Sequence, residues 1–288
     1  MLETTAIVYF SGTGNTEAVA GFIENSIKRY FNVDAFKIED ITKRKVNFDL
    51  KKYHMIGIGY PIYGFNAPRI IFDFIEHLTV SKMIKAFVFS TCAAPLYFND
   101  IASFKVKKLL VDKGFNVFYE RQFYMPANIA LKYNDEISKQ LCNAAADKSK
   151  IMSEEISNSL VRIRRDKIGP MLISWLYAIE KSAWKMIPKD FLVLETCTKC
   201  KKCIQACPLD NISLSQDQIS FGDNCLACYR CVYSCPVEAI TGKKYKFAIF
   251  KDGYDIKQII NNDNLKGDFI TEKTRGYYKI FRNYLFKE

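Results

Sequence analysis

In 288 residues the sequence has no run of eighteen or more apolar residues, so no membrane-spanning helix is expected. Histidine is almost absent: His54 stands at the start of an expected strand and His77 at the end of an expected helix. Neither has a catalytic partner nearby, which argues against imidazole acid–base or metal chemistry. The opening MLETTAIVYFSGTGNTE has no basic region ahead of an apolar run. It therefore reads as a mature start without a secretory signal, and the chain is expected in the cytoplasm. Thiols are scarce over the first 196 residues, which hold only Cys92 and Cys142. Acidic residues are outnumbered, 31 Asp and Glu against 42 Lys and Arg, for a net charge of +11. That balance favours an acidic partner, an anionic cofactor or a membrane surface, and gives no specific sign of nucleic acid. The basic residues are scattered apart from RIRRDK (Arg162 to Lys167) and the lysine-rich end, and a solvated face accounts for both.

What is present divides the chain. Hydrophobic residues at 49% and charged residues at 25% are ordinary for folded protein, and the length suffices for one large domain or two ordinary ones. As far as about residue 125, apolar runs alternate with segments of helical period. TTAIVYF, VDAFKI, YHMIGIGYP, IKAFVFST and FNVFYERQFY read as strands. TEAVAGFIENSIKRYF, PRIIFDFIEHL and DIASFKVKKLLVDK read as helices between them. Strands alternating with helices imply crossover units, so a doubly wound α/β domain with a mostly parallel sheet is expected.

Between the first strand and the first helix lies SGTGNT, Ser11 to Thr16. A helix start offers unpaired N–H groups and the positive end of its dipole, and is a ready anion site. Gly12 and Gly14 allow close backbone approach, while Ser11, Thr13, Asn15 and Thr16 add short polar side chains. The G-x-x-x-x-G-K-[ST] pattern is missing, which excludes a triphosphatase loop. Glu17 stands where a dinucleotide fingerprint needs its third glycine, so a phosphate monoester suits the loop better than a pyrophosphate.

On these residues the region up to about residue 130 resembles the flavodoxin family, whose S/T-x-T-G-N-T loop cradles the phosphate of FMN. The resemblance implies a five-stranded sheet of order 2-1-3-4-5 in its short form. It also implies two more loops, at the carboxyl ends of the third and fourth strands. YPIYGFNAP supplies Pro61, Ile62, Tyr63, Gly64 and Phe65, with Tyr63 and Phe65 for packing on the isoalloxazine ring and backbone amides near Tyr63 and Gly64 for its edge. STCAAPLYFND supplies Thr91, Cys92, Ala93 and Tyr97 for the other side. Which aromatic side chain stacks on the ring stays open, because the second loop departs from those of small acidic carriers. Cys92 reads as a packed small residue rather than a reactive thiol, and so does Cys142.

The remaining eight cysteines form two rows, CTKCKKCIQACP (Cys197 to Pro208) and CLACYRCVYSCP (Cys225 to Pro236), each C-x2-C-x2-C-x3-C-P. Cytosolic thiols stay reduced, so such rows point to metal rather than to a disulfide framework. Zinc is the rival reading, but structural zinc sites use two Cys pairs or Cys/His mixtures, and the third Cys of each row would be surplus. This spacing is that of bacterial [4Fe–4S] ferredoxins, in which the fourth Cys ligates the other cluster. One set is then Cys197, Cys200, Cys203 and Cys235, and the other Cys225, Cys228, Cys231 and Cys207. LDNI and VEAI repeat after the prolines, as in an internal duplication.

The expected organisation is a flavodoxin-like FMN domain over 1–135, a helical bridge over 136–190 and a small α+β bacterial-ferredoxin-like domain over 191–242. A tail of unassigned role follows over 243–288. In the bridge, Trp175, Leu176, Ile179 and Trp184 share a face that suits packing on a neighbour better than a membrane. Together the two halves resemble the flavodoxin–ferredoxin hybrid proteins of anaerobic bacteria and archaea, the EFR-family ferrodoxins. The resemblance implies electron passage between two [4Fe–4S] clusters and FMN. It fits an oxidoreductase acting on a small organic substrate at the flavin. It also fits an electron carrier docking with an acidic partner such as a small ferredoxin, or, less well, a redox sensor with structural clusters.

Overall fold

A computed structural model describes residues 2–80, 82–96, 99, 101–164 and 186–287. Tyr97 and the expected apolar face of Trp175, Leu176, Ile179 and Trp184 lie outside the described residues. The chain forms two compact units. The first comprises Met1–Ala127, Tyr133–Asp166 and Ile256–Glu288, and the second Asn128–Lys132 and Lys167–Asp255.

The first unit is built on five parallel strands, β1 (Thr4–Tyr9), β2 (Asn32–Lys37), β3 (Met55–Pro61), β4 (Ile84–Cys92) and β5 (Phe115–Tyr124). Their spatial order is β2-β1-β3-β4-β5, as expected. Strand order reverses between β1 and β3, which opens a crevice outside the carboxyl ends of the strands. β3 is buried throughout, and its glycines explain how it fits. In register, Gly57 lies beside Phe87 and Gly59 beside Phe89. A Cβ at these glycines would come within 2.2 and 2.1 Å of those rings. The two phenyl rings stack with centroids 6.5 Å apart in space that only glycine leaves. Burying each ring contributes about 2–3 kcal/mol.

Helices cover the sheet. α1 (Asn15–Ile27) is followed by a short α2 (Ile38–Thr42), then α3 (Arg69–Glu76) and α4 (Ala102–Asp112), which pack on each other. α5 (Asp135–Ser157) packs against α1. Asn134 caps its start, accepting from the Ile137 N–H at 2.8 Å, and Ile137, Leu141, Ala145, Met152 and Ile156 line its buried side. Residues 136–157, expected as the start of a bridge, thus lie inside the first unit. A parallel sheet needs both faces covered, and α5 supplies cover beside α1 that no earlier segment provides. Helical period identifies a helix but not the surface it covers.

Beyond α5 the chain runs alongside the sheet edge. Arg162 accepts from the Glu120 N–H at 2.8 Å and donates to the Phe118 carbonyl at 3.0 Å, so the first arginine of RIRRDK shields an exposed strand. Its guanidinium also lies 3.4 Å from Glu155. Glu155 accepts from Tyr119 Oη and from Arg121 at 3.0 Å. Although burial opposes it, these partners hold the Glu155 carboxyl below the usual carboxylate range.

Among its described residues the second unit has little regular structure. β6 (Phe191–Val193) pairs antiparallel with β9 (Ile240–Gly242), and β7 (Ile212–Ser215) with β8 (Gln218–Phe221). Its described residues also form α6 (Lys202–Ala206) and α7 (Arg230–Tyr233). Its core is small: Phe191, Ile212, Tyr229, Val232 and Ile240, together with Cys203 and Cys231.

The segment after residue 255 belongs to the first unit. α8 (Ile256–Ile260) packs against α1 and α5. Further on, the Gln140 side-chain amide of α5 exchanges two 2.8 Å hydrogen bonds with the backbone of Ile270. Glu136 accepts from the Gly267 N–H at 2.7 Å. A 3-10 turn at Tyr277–Phe281 and α9 (Arg282–Phe286) bury Phe281 and Tyr284. No helix among the described residues is long and apolar enough to cross a membrane.

Candidate redox sites

The loop Ser11–Asn15 leaves β1 and enters α1. Gly14 sits at the N-cap with φ +102°, a conformation that side-chain-bearing residues rarely adopt, and no side chain caps the helix. The short polar residues of the loop act largely as braces. Ser11 Oγ accepts from the Gly14 N–H at 3.2 Å, and Asn15 Nδ2 donates to the Pro126 carbonyl at 2.8 Å. The Thr16 hydroxyl, fully buried, meets the Thr91 hydroxyl at 2.8 Å and so ties this loop to the end of β4. Glu17, the one acid in the first turn, is paired with Lys37 at 2.9 Å, which offsets its repulsion of an anion.

The loops after β3 and β4 are joined to each other. Ile62 N–H donates to the Thr91 carbonyl at 2.8 Å, beside the register pair Pro61 and Thr91. Tyr63 and Asn66 close a two-residue turn with hydrogen bonds of 2.9 and 3.1 Å. Gly64 at φ +49° and Phe65 at +63° make it the mirror-image type that demands left-handed backbone at both positions. Thr91 and Cys92 are buried, Cys92 Sγ lies 3.4 Å from the Ala94 carbonyl, and Ala93 is half-buried. The structure therefore places Ser11, Thr13, Gly14, Asn15, Thr16, Pro61, Ile62, Tyr63, Gly64, Phe65, Thr91, Cys92 and Ala93 on three loops and the strand or helix ends that adjoin them. The loops follow neighbouring strands at one end of one sheet.

In the second unit the two cysteine rows fold alike. Each position of the first row recurs 28 residues later, and so does its backbone. Lys199 and Ala227, Lys201 and Tyr229, and Asp210 and Glu238 are matched pairs in left-handed conformation, with φ between 49° and 62°. α6 and α7 follow the same cysteines. Cys207 Sγ accepts from the Asn211 N–H and Cys235 Sγ from the Ala239 N–H, both at 3.2 Å. Burial, and then the thiols of Cys228, Cys225, Cys207 and Cys203, push Cys231 far up. Burial raises Cys203 as well, with Cys197 and Cys235 adding to it against the Ile204 N–H. The backbone N–H of Lys202 lowers Cys200. Among the described residues no group of three or more His, Cys, Asp or Glu side chains is set to hold one metal ion.

Residues 6–110 match the family model of a flavodoxin domain, and residues 189–236 that of a 4Fe-4S dicluster domain. The chain joins these two domains in one electron-transfer redox protein. Among solved structures, similar chains are flavodoxins. One, from the domain Archaea, is 17% identical with a TM-score of 0.38, covering 53% of this chain and 98% of its own. Flavodoxin 1 of Bacillus cereus is 19% identical with a TM-score of 0.39, covering 54% and 97%. The flavodoxin of Streptococcus pneumoniae TIGR4 is 18% identical with a TM-score of 0.39, covering 54% and 98%. No curated protein matches the chain. A flavodoxin domain implies a flavin, and a dicluster domain implies iron–sulfur clusters.

The matched spans fall short of the folded units. The flavodoxin match ends within α4, before β5 and α5, and the dicluster match ends before β9. Residues absent from the sequence-based site lie beside the flavodoxin-domain loops: Tyr133 Oη donates to the Ala93 carbonyl at 2.8 Å, and Ile256 abuts Gly14. Neither sits in a motif. Cys142, buried on α5, is pushed up to about 12 by that burial and is an inert packed thiol.

Proposed function

We propose that the chain is an oxidoreductase that connects two [4Fe–4S] clusters with one FMN and acts on a small organic substrate at the flavin. The observation that carries this reading is the doubled cysteine row. Sequence spacing, left-handed turns and N–H···Sγ bonds all repeat at the same offset. Non-glycine residues held at positive φ cost roughly 1–3 kcal/mol each, and clustered strain of this kind fits loops whose shape ligation fixes. The bacterial ferredoxin spacing, in which the fourth thiol comes from the other row, groups Cys197 and Cys203 with Cys235, and Cys225, Cys228 and Cys231 with Cys207. Cys200 completes the first set. Cluster thiolates bind different irons, so they need not meet at one point.

In the flavodoxin domain, the start of α1 and the glycine turn at Gly14 suit a phosphate, while Ser11, Asn15 and Thr16 brace the loop. The Tyr63–Asn66 turn and the Thr91–Ala93 segment are the places for the ring. We assign FMN binding to residues 1–135 and the clusters to 191–242, and the pattern of reduced thiols suits the cytoplasm. When bound, clusters exchange single electrons and a flavin one or two, so the pairing converts between the two. A second reading, an electron carrier docking with an acidic protein, is favoured by the net charge of +11.

Cofactor analysis of anaerobically purified protein tests the assignment. One FMN, eight irons and eight acid-labile sulfides per chain are expected; zinc in their place, or no flavin, overturns it. Oxidation of the reduced protein by small organic acceptors alone distinguishes the enzyme from a carrier that needs a protein partner.

A further inference from the structure

The segment after residue 255 carries no motif, yet it meets both parts of the flavin site proposed above. At the phosphate loop, Ile256 is 2% exposed, and a Cβ at Gly14 would lie 2.8 Å from its Cγ2. α8 is held there from its far end, where Lys139 Nζ of α5 donates to the Ile260 carbonyl at 2.7 Å. At the ring loops, Phe281 and Tyr284 share one core with Cys92 and Ala94, and Ile62, Ala93 and Tyr278 pack against it. Tyr133, which donates to the Ala93 carbonyl at 2.8 Å, lies 3.5 Å from Tyr277 Oη. Its ring meets Tyr278 and Phe281 edge-on, with centroids 5.9 and 5.8 Å away. Burial first, and then the Tyr277 hydroxyl, holds the Tyr133 phenol far above its ordinary value, so it stays a donor to Ala93.

We propose that residues 256–286 are a working part of the FMN site. Ile256 is a positioning residue behind the phosphate loop, and Tyr277 with Tyr278 is an aromatic wall steadying the loop after β4. The inference rests on the flavin reading of the first unit. An apolar side chain against one side of the loop excludes water there and strengthens the attraction of the opposite N–H groups for a phosphate. It also occupies the space that a Cβ at Gly14 would need, so that position takes only glycine. The tyrosines act elsewhere: Tyr133 fixes the Ala93 carbonyl, and Tyr277 and Tyr278 fix Tyr133. The two halves of the segment therefore serve different parts of one ligand, its phosphate and its ring.

Riboflavin, which has the ring without the phosphate, separates the two effects. The full chain, freed of flavin, is titrated with FMN and with riboflavin, and binding is followed by quenching of flavin fluorescence. Ile256→Ala is expected to weaken FMN about tenfold and riboflavin less than about twofold, while Ile256→Val stays near the parent. Tyr277→Ala, at a position 51% exposed, is expected to weaken both ligands by a similar factor of several-fold. If Ile256→Ala fails to fold, as judged by its melting curve without flavin, Tyr277→Ala decides. Parent-like affinities in the folded variants overturn the inference while leaving the flavin reading intact. A parent chain that binds no FMN overturns the flavin reading first.

Discussion

In the flavodoxin domain the loops Ser11–Asn15, Tyr63–Asn66 and Thr91–Ala93 hang from strands whose packing is complete without a ligand. Phe87 and Phe89 fill the space over Gly57 and Gly59, and α5 closes the cover beside α1. In the dicluster domain the strands are three or four residues long. Two of the buried core side chains there are themselves cysteines of the rows, and non-glycine residues in left-handed turns recur around them. The first site is a surface feature of a finished core. The proposed second site shares its core with the apolar side chains, so ligation there would add to the limited apolar burial of so short a segment. Loss of the ligand should therefore leave the first domain folded and undo the second.

The largest effect expected from this contrast follows Cys231→Ser, which removes a buried thiol of the second unit. At least the four irons of one cluster should be lost and the 191–242 segment should become protease-sensitive, with FMN content unchanged. Iron analysis and limited proteolysis check both parts, and a flavin loss of equal size would break the comparison. Next in size, Asn15→Glu removes the brace to Pro126 and sets a carboxylate at the start of α1. FMN retention should fall by about a hundredfold or more, with iron content and the flavin-free melting temperature little changed. Loss of iron in that variant would show that the two sites are not independent.

The smallest effect concerns the scaffold alone. Glu155 is held below the usual carboxylate range, so its ionised form stabilises the folded state above the unfolded value near 4.5, and that contribution fades as pH falls through the lower folded value. Glu155→Gln should cost about 1–3 kcal/mol at pH 7 and progressively less as the pH is lowered through the folded value, measured by denaturant unfolding of the flavodoxin-domain signal. A penalty that does not change with pH would remove the ion pair with Arg121 from the account.

The sequence made some of this legible for physical reasons. Apolar runs bounded by turn residues identify the five strands because burial on both faces leaves little room for polar residues. The cysteine rows are legible because ligation acts over a few residues and repeats. What could not be read depends on distant contacts. The tether between the Thr16 and Thr91 hydroxyls spans 75 positions, and the exchange between Gln140 and Ile270 spans 130. Spacing gives no hint that Thr16 serves as a brace, that α5 closes the sheet, or that Ile256 abuts Gly14 and Tyr277 meets Tyr133. The tail gave no periodic signal because Ile270 is buried from irregular backbone, and Phe281 and Tyr284 singly from helical turns of only five residues each.

The central claim, that one chain carries electrons between its iron–sulfur and flavin halves, is tested most directly by rapid mixing under anaerobic conditions. The oxidised holoprotein is mixed with a one-electron reductant, and iron–sulfur and flavin absorbance are followed separately. Cluster bleaching should come first, and its recovery should coincide with flavin reduction at a rate independent of protein concentration. A flavin phase whose rate rises in proportion to protein concentration, or one unaltered by Cys231→Ser, would contradict an internal relay.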